Sequence, residues 1–216
     1  MFRPIVTSLA PVTLIGGGEA TPALLKKALR HAPTLVAADG GARRAMEAGA
    51  ALAAVVGDLD SLGDLTLDPA LLHHRPDQNA TDFEKCLAAV DAPLILGVGF
   101  LGGRLDHQLA ALSALLKEPR PVILLSQSEL AFIAPRALTL DLEEGIRCAL
   151  YPLLPATLTT RGLRYPLTDA RVAPDGLTST SNHVDATPIS IVTDRHAVLV
   201  TLPLAALEAV LAALAR

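Results

Sequence analysis

The chain has 216 residues, 51% hydrophobic but only 3% aromatic, with no Trp and a formal net charge of −4. That length suits one large domain or two small ones around an aliphatic core of Leu, Ala, Val and Ile. Mild acidity without a Lys/Arg run argues against a nucleic-acid surface, and the longest apolar stretch, Leu202 to Ala215, contains Glu208 and is too short to span a bilayer.

The opening Met1 to Val6 faintly resembles a secretory signal, but Pro11 breaks the apolar region and Gly16-Gly17-Gly18 stands where cleavage would occur. A cytoplasmic protein is therefore expected. Val12 to Ile15 reads as a short strand running through the three glycines into a helix from Thr21 to about Arg30, with Pro22 at its first position. The glycines let backbone approach a phosphate, although the dinucleotide fingerprint would place another glycine where Thr21 stands. A tight turn without a ligand is the alternative. Thr34 to Ala38 is a second strand, ending in Asp39-Gly40-Gly41 before a helix through about Ala48.

Ala53-Ala54-Val55-Val56-Gly57-Asp58-Leu59-Asp60-Ser61 is the third such unit. Its unbroken apolar run suits a strand covered on both faces. If the backbone stays extended beyond Gly57, Asp58 and Asp60 project to the same side and share one cation. Hard carboxylate oxygens favour Mg²⁺. An Asp-rich turn, with Asp60 or Ser61 capping a helix, is the alternative.

A less regular region follows through Pro69 and Pro76. Next comes a helix from about Thr81 to Val90, with Asn79 or Thr81 as its cap and Asp82 in its first turn. Leu94 to Gly99 is another buried strand, followed by Phe100-Leu101-Gly102-Gly103 and a helix from about Arg104 to Lys117. Arg104 and His107 share one face near its N-terminus with Asp106 beside them, an arrangement that favours an anion. A solvated Arg-Asp pair is the alternative. Pro121 to Ser126 is the last strand of this kind. Cys86 and Cys148 have neither disulfide nor metal spacing and read as buried free thiols.

The alternation predicts a doubly wound, mostly parallel α/β sheet over residues 1–128, its strand C-termini on one ligand-binding edge. Beyond it, short strands are expected at Leu130 to Ile133, Ala137 to Leu142, Arg147 to Leu150, Thr157 to Thr160, Ile189 to Val192 and Ala197 to Leu202. They predict an all-β sandwich over residues 129–216, closed by a helix from about Pro203 to Leu214, with a polar loop at Ser179 to His183.

Six motifs occur in the order found in thiamine pyrophosphokinases: Asp39-Gly40-Gly41-Ala42, Gly57-Asp58-Leu59-Asp60-Ser61, Gln78 to Cys86, Gly102-Gly103-Arg104-Leu105-Asp106-His107, Gly162 to Leu167, and Ser181-Asn182. The chain resembles that family over nearly its whole length. The resemblance implies an α/β nucleotide- and metal-binding domain, a β-sandwich for substrate binding and dimerisation, and a homodimer with active sites between subunits. The implied reaction moves a pyrophosphoryl group from ATP to thiamine, giving thiamine diphosphate and AMP. It implies Mg²⁺ on Asp58, Asp60 and Asp82, which with Arg104 and Asp106 form the catalytic set. Gly17, Asp39, Gly40, Gln78, Thr81, Gly103, Arg104 and His107 are implied around the nucleotide, and Ser181 and Asn182 around thiamine. Asp39 and Asp106 are also candidates for completing the metal shell or orienting the alcohol.

The sequence departs from the family pattern in three places. Asn79 replaces a common Asp, Arg43 stands where relatives often carry Asn, and without Trp an acceptor ring must be met by Tyr165, His183 or an aliphatic wall. Three other functions fit the residues: a pyrophosphokinase for another hydroxymethyl acceptor such as a pterin, a nicotinamide-dependent oxidoreductase with Asp39 reading a ribose, and a non-catalytic nucleotide-binding module.

Overall fold

The computed structural model describes residues 3–214. Met1 and Phe2, which begin the signal-like stretch, and Ala215, which ends the longest apolar run, lie outside the described residues. The chain divides into two compact units, Met1–Gln127 and Ser128–Arg216.

In the first unit, β1 (Val6–Thr7), β2 (Val12–Ile15), α1 (Pro22–His31), β3 (Thr34–Ala38), α2 (Gly41–Glu47) and β4 (Ala54–Gly57) follow one another. After them come β5 (Leu72–His74), α3 (Asp82–Ala89), β6 (Val90–Asp91), β7 (Ile95–Val98), α4 (Leu105–Lys117) and β8 (Val122–Leu125). Six strands pair in the order β5-β4-β3-β2-β7-β8, all parallel. The register matches Ile15 with both Ala37 and Val98, so the loops after β2, β3 and β7 leave from one edge. The chain goes from β2 outward to β3 on one side and returns to β7 on the other. This reversal of strand order marks the crevice where open α/β sheets bind ligands.

Local chemistry fixes the helix starts. Thr21 Oγ1 accepts the Leu24 N–H at 3.3 Å, with Pro22 at the first helical position. At α3, Thr81 Oγ1 accepts the Glu84 N–H at 3.2 Å while the Glu84 carboxylate accepts the Thr81 N–H at 3.0 Å, a reciprocal capping box. Ile15, Leu25, Leu35, Ala37, Ala42, Ala45 and Val55 form a continuous aliphatic core. Close packing there depends on Gly41, where a Cβ would come within 2.0 Å of the Ile15 carbonyl oxygen.

The far end of α3 is closed by a distant side chain. Arg120 donates to the Val90 carbonyl, to the Leu87 carbonyl at 2.7 Å, and to both Glu118 carboxylate oxygens at 2.7 Å. It thereby satisfies carbonyls that a helix end leaves without intrahelical partners. Arg120→Ala leaves these carbonyls without their donor and the 10%-exposed Glu118 without its counter-charge, with only the residue-120 backbone N–H at 3.1 Å remaining on it, and is expected to cost about 3 kcal/mol. Urea unfolding checks this: the midpoint falls while the slope is unchanged.

The second unit holds β9 (Glu129–Ile133), β10 (Ala137–Leu140), β11 (Ala149–Pro152), β12 (Ala156–Arg161), β13 (Ala170–Val172), β14 (Ile189–Thr193), β15 (Val198–Pro203) and α5 (Leu207–Leu214). Its antiparallel pairings run β10-β14-β12-β13 and β11-β15-β9. The inward alternation Ala156, Leu158, Thr160 is buried, as a half-covered strand requires. α5 packs on β10.

Several elements differ from expectation. The less regular region contains β5, and β1 pairs in parallel with β6. β13 was not anticipated. The strand expected at Arg147 to Leu150 lies at Ala149–Pro152, with Arg147 making an isolated bridge to His183. The terminal helix begins at Leu207 after a 3₁₀ turn over Leu204–Ala206.

Both cysteines are buried free thiols, and burial pushes Cys148 up to about 12. Among the described residues, no helix is long and apolar enough to cross a membrane.

Candidate active site

Three carboxylates from three separate elements converge at the C-terminal edge of the parallel sheet. Asp39 follows β3, Asp58 follows β4, and Asp82 opens α3. Each contributes an oxygen, and these oxygens all lie within 4.8 Å of one another. Asp39 is 3% exposed and has φ of +42°, a left-handed conformation that Asp tolerates better than most residues. Each carboxylate is held by a nearby donor. The Ser61 N–H donates to Asp39 Oδ2 at 3.2 Å, the Gln78 amide donates to Asp58 Oδ2 at 3.3 Å, and Lys85 Nζ donates to Asp82 Oδ1 at 2.8 Å. Asp39 Oδ1 and Asp58 Oδ1 are buried and have no hydrogen-bond partner.

The electrostatics follow. Burial raises the Asp39 carboxyl above its ordinary value; the Ser61 contacts oppose this, and the charges of Asp82 and Asp58 add to it. At Asp58 partial desolvation acts upward, yet the Gln78 amide, the Asp60 backbone N–H and Lys85 together hold it below the usual range. Carboxylate oxygens converging from three pre-oriented residues, two of them buried without a hydrogen-bond partner, could hold a hard divalent cation.

The trio differs from the expected one. Asp60 is exposed, accepts from Ser61 Oγ at 2.9 Å and lies outside the cluster, while Asp39, expected at the nucleotide or as a candidate to complete the metal shell, lies within it. The cause is Leu59, whose φ of +66° breaks the extended alternation that would have aligned Asp58 with Asp60.

Beside the trio lies a cavity of about 680 Å³ lined by Gly16 to Gly18, Asp39, Gly40, Asp82 and several basic residues. Arg43, Arg44, Arg104 and His107 are among its walls, as is Thr81. Phe83 and Phe100, 4.2 Å apart between ring centroids, form an apolar portion of the wall. Glycine backbones approach closely here: a Cβ on Gly18 would come within 2.6 Å of the Gly99 carbonyl oxygen.

Arg104 is the N-cap residue of α4. Its guanidinium meets Asp106 through Nε at 3.1 Å and Nη2 at 2.6 Å. Asp106 thus orients Arg104. Arg43 donates to the Leu62 carbonyl at 3.2 Å and to Asp64 at 2.8 Å, tying the cavity wall to the loop after β4. Gln78, expected at the nucleotide, instead holds Asp58, and Gly103 is exposed with φ of +70°.

In the second unit, Ser181 is exposed with φ of +57°. Asn182, expected at the acceptor, is 1% exposed and fully engaged. Its Oδ1 accepts from the Tyr165 and His183 N–H groups at 3.1 and 3.0 Å, and its amide donates to the Tyr165 carbonyl at 2.9 Å and Ser179 Oγ at 3.1 Å. It therefore braces the Tyr165 turn. Tyr165 is itself 64% exposed, and its ring meets His183 edge-on at 6.4 Å.

Two residues without an assigned role emerge. Lys85 is buried among the carboxylates, and Ser61 anchors Asp39. Buried lysine at three-residue spacing from Asp82 is a signal the sequence carries, but a helix-surface Lys shares it.

Comparison with known proteins follows the same division. Residues 25–124 match the family model described as "Thiamin pyrophosphokinase, catalytic domain", and residues 137–198 match "Thiamin pyrophosphokinase, vitamin B1 binding domain". A rice protein named thiamine pyrophosphokinase 3 is 32% identical over 165 residues, covering 65% of this chain and 62% of that protein. Thiamine pyrophosphokinase 1 of Arabidopsis thaliana is 30% identical, covering 65% and 61%. The chain thus aligns with less than two thirds of these plant relatives' length. Among solved structures, thiamin pyrophosphokinase from Geobacillus thermodenitrificans shares the fold, with a TM-score of 0.74 at 23% identity, covering 89% of this chain and 96% of that one. The Candida albicans enzyme does so with 0.72 at 17%, covering 94% of each. With both family models matched in order on a mixed α/β fold common to these structures, the chain belongs to the thiamin pyrophosphokinase family.

Proposed function

We propose that this protein transfers the pyrophosphoryl group of ATP to thiamine, releasing AMP. The observation that carries the proposal is the carboxylate trio, with two buried oxygens lacking any partner, beside a glycine- and arginine-lined cavity. Asp39, Asp58 and Asp82 would hold Mg²⁺, which would supply positive charge against that of the polyphosphate. The Gly16-Gly17-Gly18 turn admits the polyphosphate to the backbone. Arg104 faces it with the guanidinium edge that Asp106 leaves free, Arg43 and Arg44 add positive charge, and His107 offers a ring N–H as a further donor. Held in line, the thiamine hydroxyl attacks the β-phosphorus and AMP departs.

On this reading the first unit is a doubly wound nucleotide domain. The second is a small sandwich that presents Tyr165 and the Ser181 turn to the acceptor, in a cytoplasmic homodimer whose sites lie between subunits. An oxidoreductase would need Asp39 free to read a ribose, whereas its carboxylate is turned into the trio.

The test is direct: purified protein with ATP, Mg²⁺ and thiamine is expected to give AMP and thiamine diphosphate in equal amounts. ADP or orthophosphate would mean that a different bond is cut. ATP binding without AMP release, with thiamine or a pterin alcohol, would favour a binding module.

A further inference from the structure

Lys85 is the residue near the trio that the phosphoryl-transfer reading leaves unused. Its side chain is 6% exposed, an uncommon position for lysine unless charge surrounds it. What surrounds it is the trio itself. Nζ lies 2.8 Å from Asp82 Oδ1 and 3.9 Å from Asp58 Oδ2, and the two partners are both members of the cluster. Asp82 and Lys85 sit three residues apart on α3, so the contact is fixed by the helix.

We infer that Lys85 is an internal counter-cation: it neutralises one of the trio's three negative charges and leaves a site matched to one divalent ion, for whose Asp82 ligand it competes. The inference rests on the cation reading of the trio given above. Three carboxylates brought within 4.8 Å repel one another when nothing stands between them. Lys85 relieves that repulsion while the ion is absent, and it weakens the ion's hold when the ion arrives. Coupling of this kind is reciprocal, so removing Lys85 must destabilise the ion-free protein more than the ion-bound one and must tighten ion binding. A lysine that merely filled space on α3 would do neither.

The test uses the full chain without nucleotide, with Mn²⁺ as the probe, by titration calorimetry and by thermal melting with and without the ion. Lys85→Met is expected to bind Mn²⁺ about tenfold more tightly than wild type, the scale on which a unit charge a few ångströms from a ligand acts. The rise in melting temperature caused by Mn²⁺ should grow correspondingly. Lys85→Arg, which keeps the charge, should stay close to wild type. Lys85→Gln repeats the comparison with a side chain that still donates to Asp82, so that lost packing is not mistaken for lost charge. Unchanged or weaker Mn²⁺ binding in both neutral variants, with equal loss of stability in the presence and absence of the ion, would overturn the role of Lys85 alone. A wild-type protein that takes up no Mn²⁺ would instead remove the cation reading itself, and this inference with it.

Discussion

Asp39→Asn is expected to lower turnover at least about 100-fold, as loss of a preorganised electrostatic group does, while making the ion-free protein more stable. The two effects have one origin. Asp39 Oδ1 is buried without a partner beside two like charges, a cost the fold carries for the sake of the site. Asn fits the same space, tolerates φ of +42°, keeps its oxygen for the Ser61 N–H and can turn its amide toward the neighbouring carboxylates. The ion-free melting point should rise by about 2–4 °C, the shift that about 1 kcal/mol produces in a chain of this size.

The pH dependence separates this account from general stabilisation. Burial chiefly raises the Asp39 carboxyl above its ordinary 3.8, so the folded state holds that proton more tightly than the unfolded chain does. Its contribution to stability is present below the unfolded value and is lost as pH rises through the higher folded one. Asp39→Asn removes that loss, and its advantage over wild type should widen as pH climbs from 3.8 toward neutrality. Melting curves across that window decide it. Activity within tenfold of wild type, or an advantage that does not change with pH, would contradict the placement of Asp39 in a cation site.

The contrast between Asp39 and Asp60 shows how far sequence reasoning reaches here. Buried parallel strands announce themselves as unbroken apolar runs, which is why Val12–Ile15 and Thr34–Ala38 can be read directly with their glycine turns. β5 could not be: it is an edge strand of three residues containing two histidines, held by pairing with β4 rather than by its own pattern. The carboxylates are visible as residues, but their grouping depends on backbone direction at single positions. Left-handed Leu59 carries no sequence signal, since glycine or asparagine would be the usual marker, and it alone diverts Asp60. Asn182 was legible as part of a motif, yet its role as a brace depends on four hydrogen bonds that only the folded turn creates.

Gly57→Ala should disable the site without touching a ligand. Gly57 is the last residue of β4 and lies against the trio: a Cβ there would come within 2.8 Å of Asp39 Cβ, 3.3 Å of Asp39 Cα and 3.2 Å of Asp82 Oδ1. The strand itself has little room to retreat, because Val56 is paired with Ala38 on one side and Gly57 with His74 on the other, with the Arg75 N–H bonded to the Gly57 carbonyl at 2.6 Å. The displacement must therefore fall on Asp39 and Asp82, spreading the carboxylates that a cation would draw together. Overpacking of this kind costs about 1–3 kcal/mol of stability. Turnover is expected to fall by about 100-fold, since misplacement on the ångström scale suffices for that. Divalent-ion stabilisation in thermal melts should shrink in parallel, which a purely global loss of stability would not produce. Gly176→Ala is the matched control, because a Cβ there meets only Ala173, its Cβ at 3.6 Å and its carbonyl oxygen at 3.9 Å, both ordinary contacts, and it should leave both readouts unchanged. Gly57→Ala protein that keeps near-normal activity and its full response to the ion would show that the chemistry does not depend on these three carboxylates meeting beside β4.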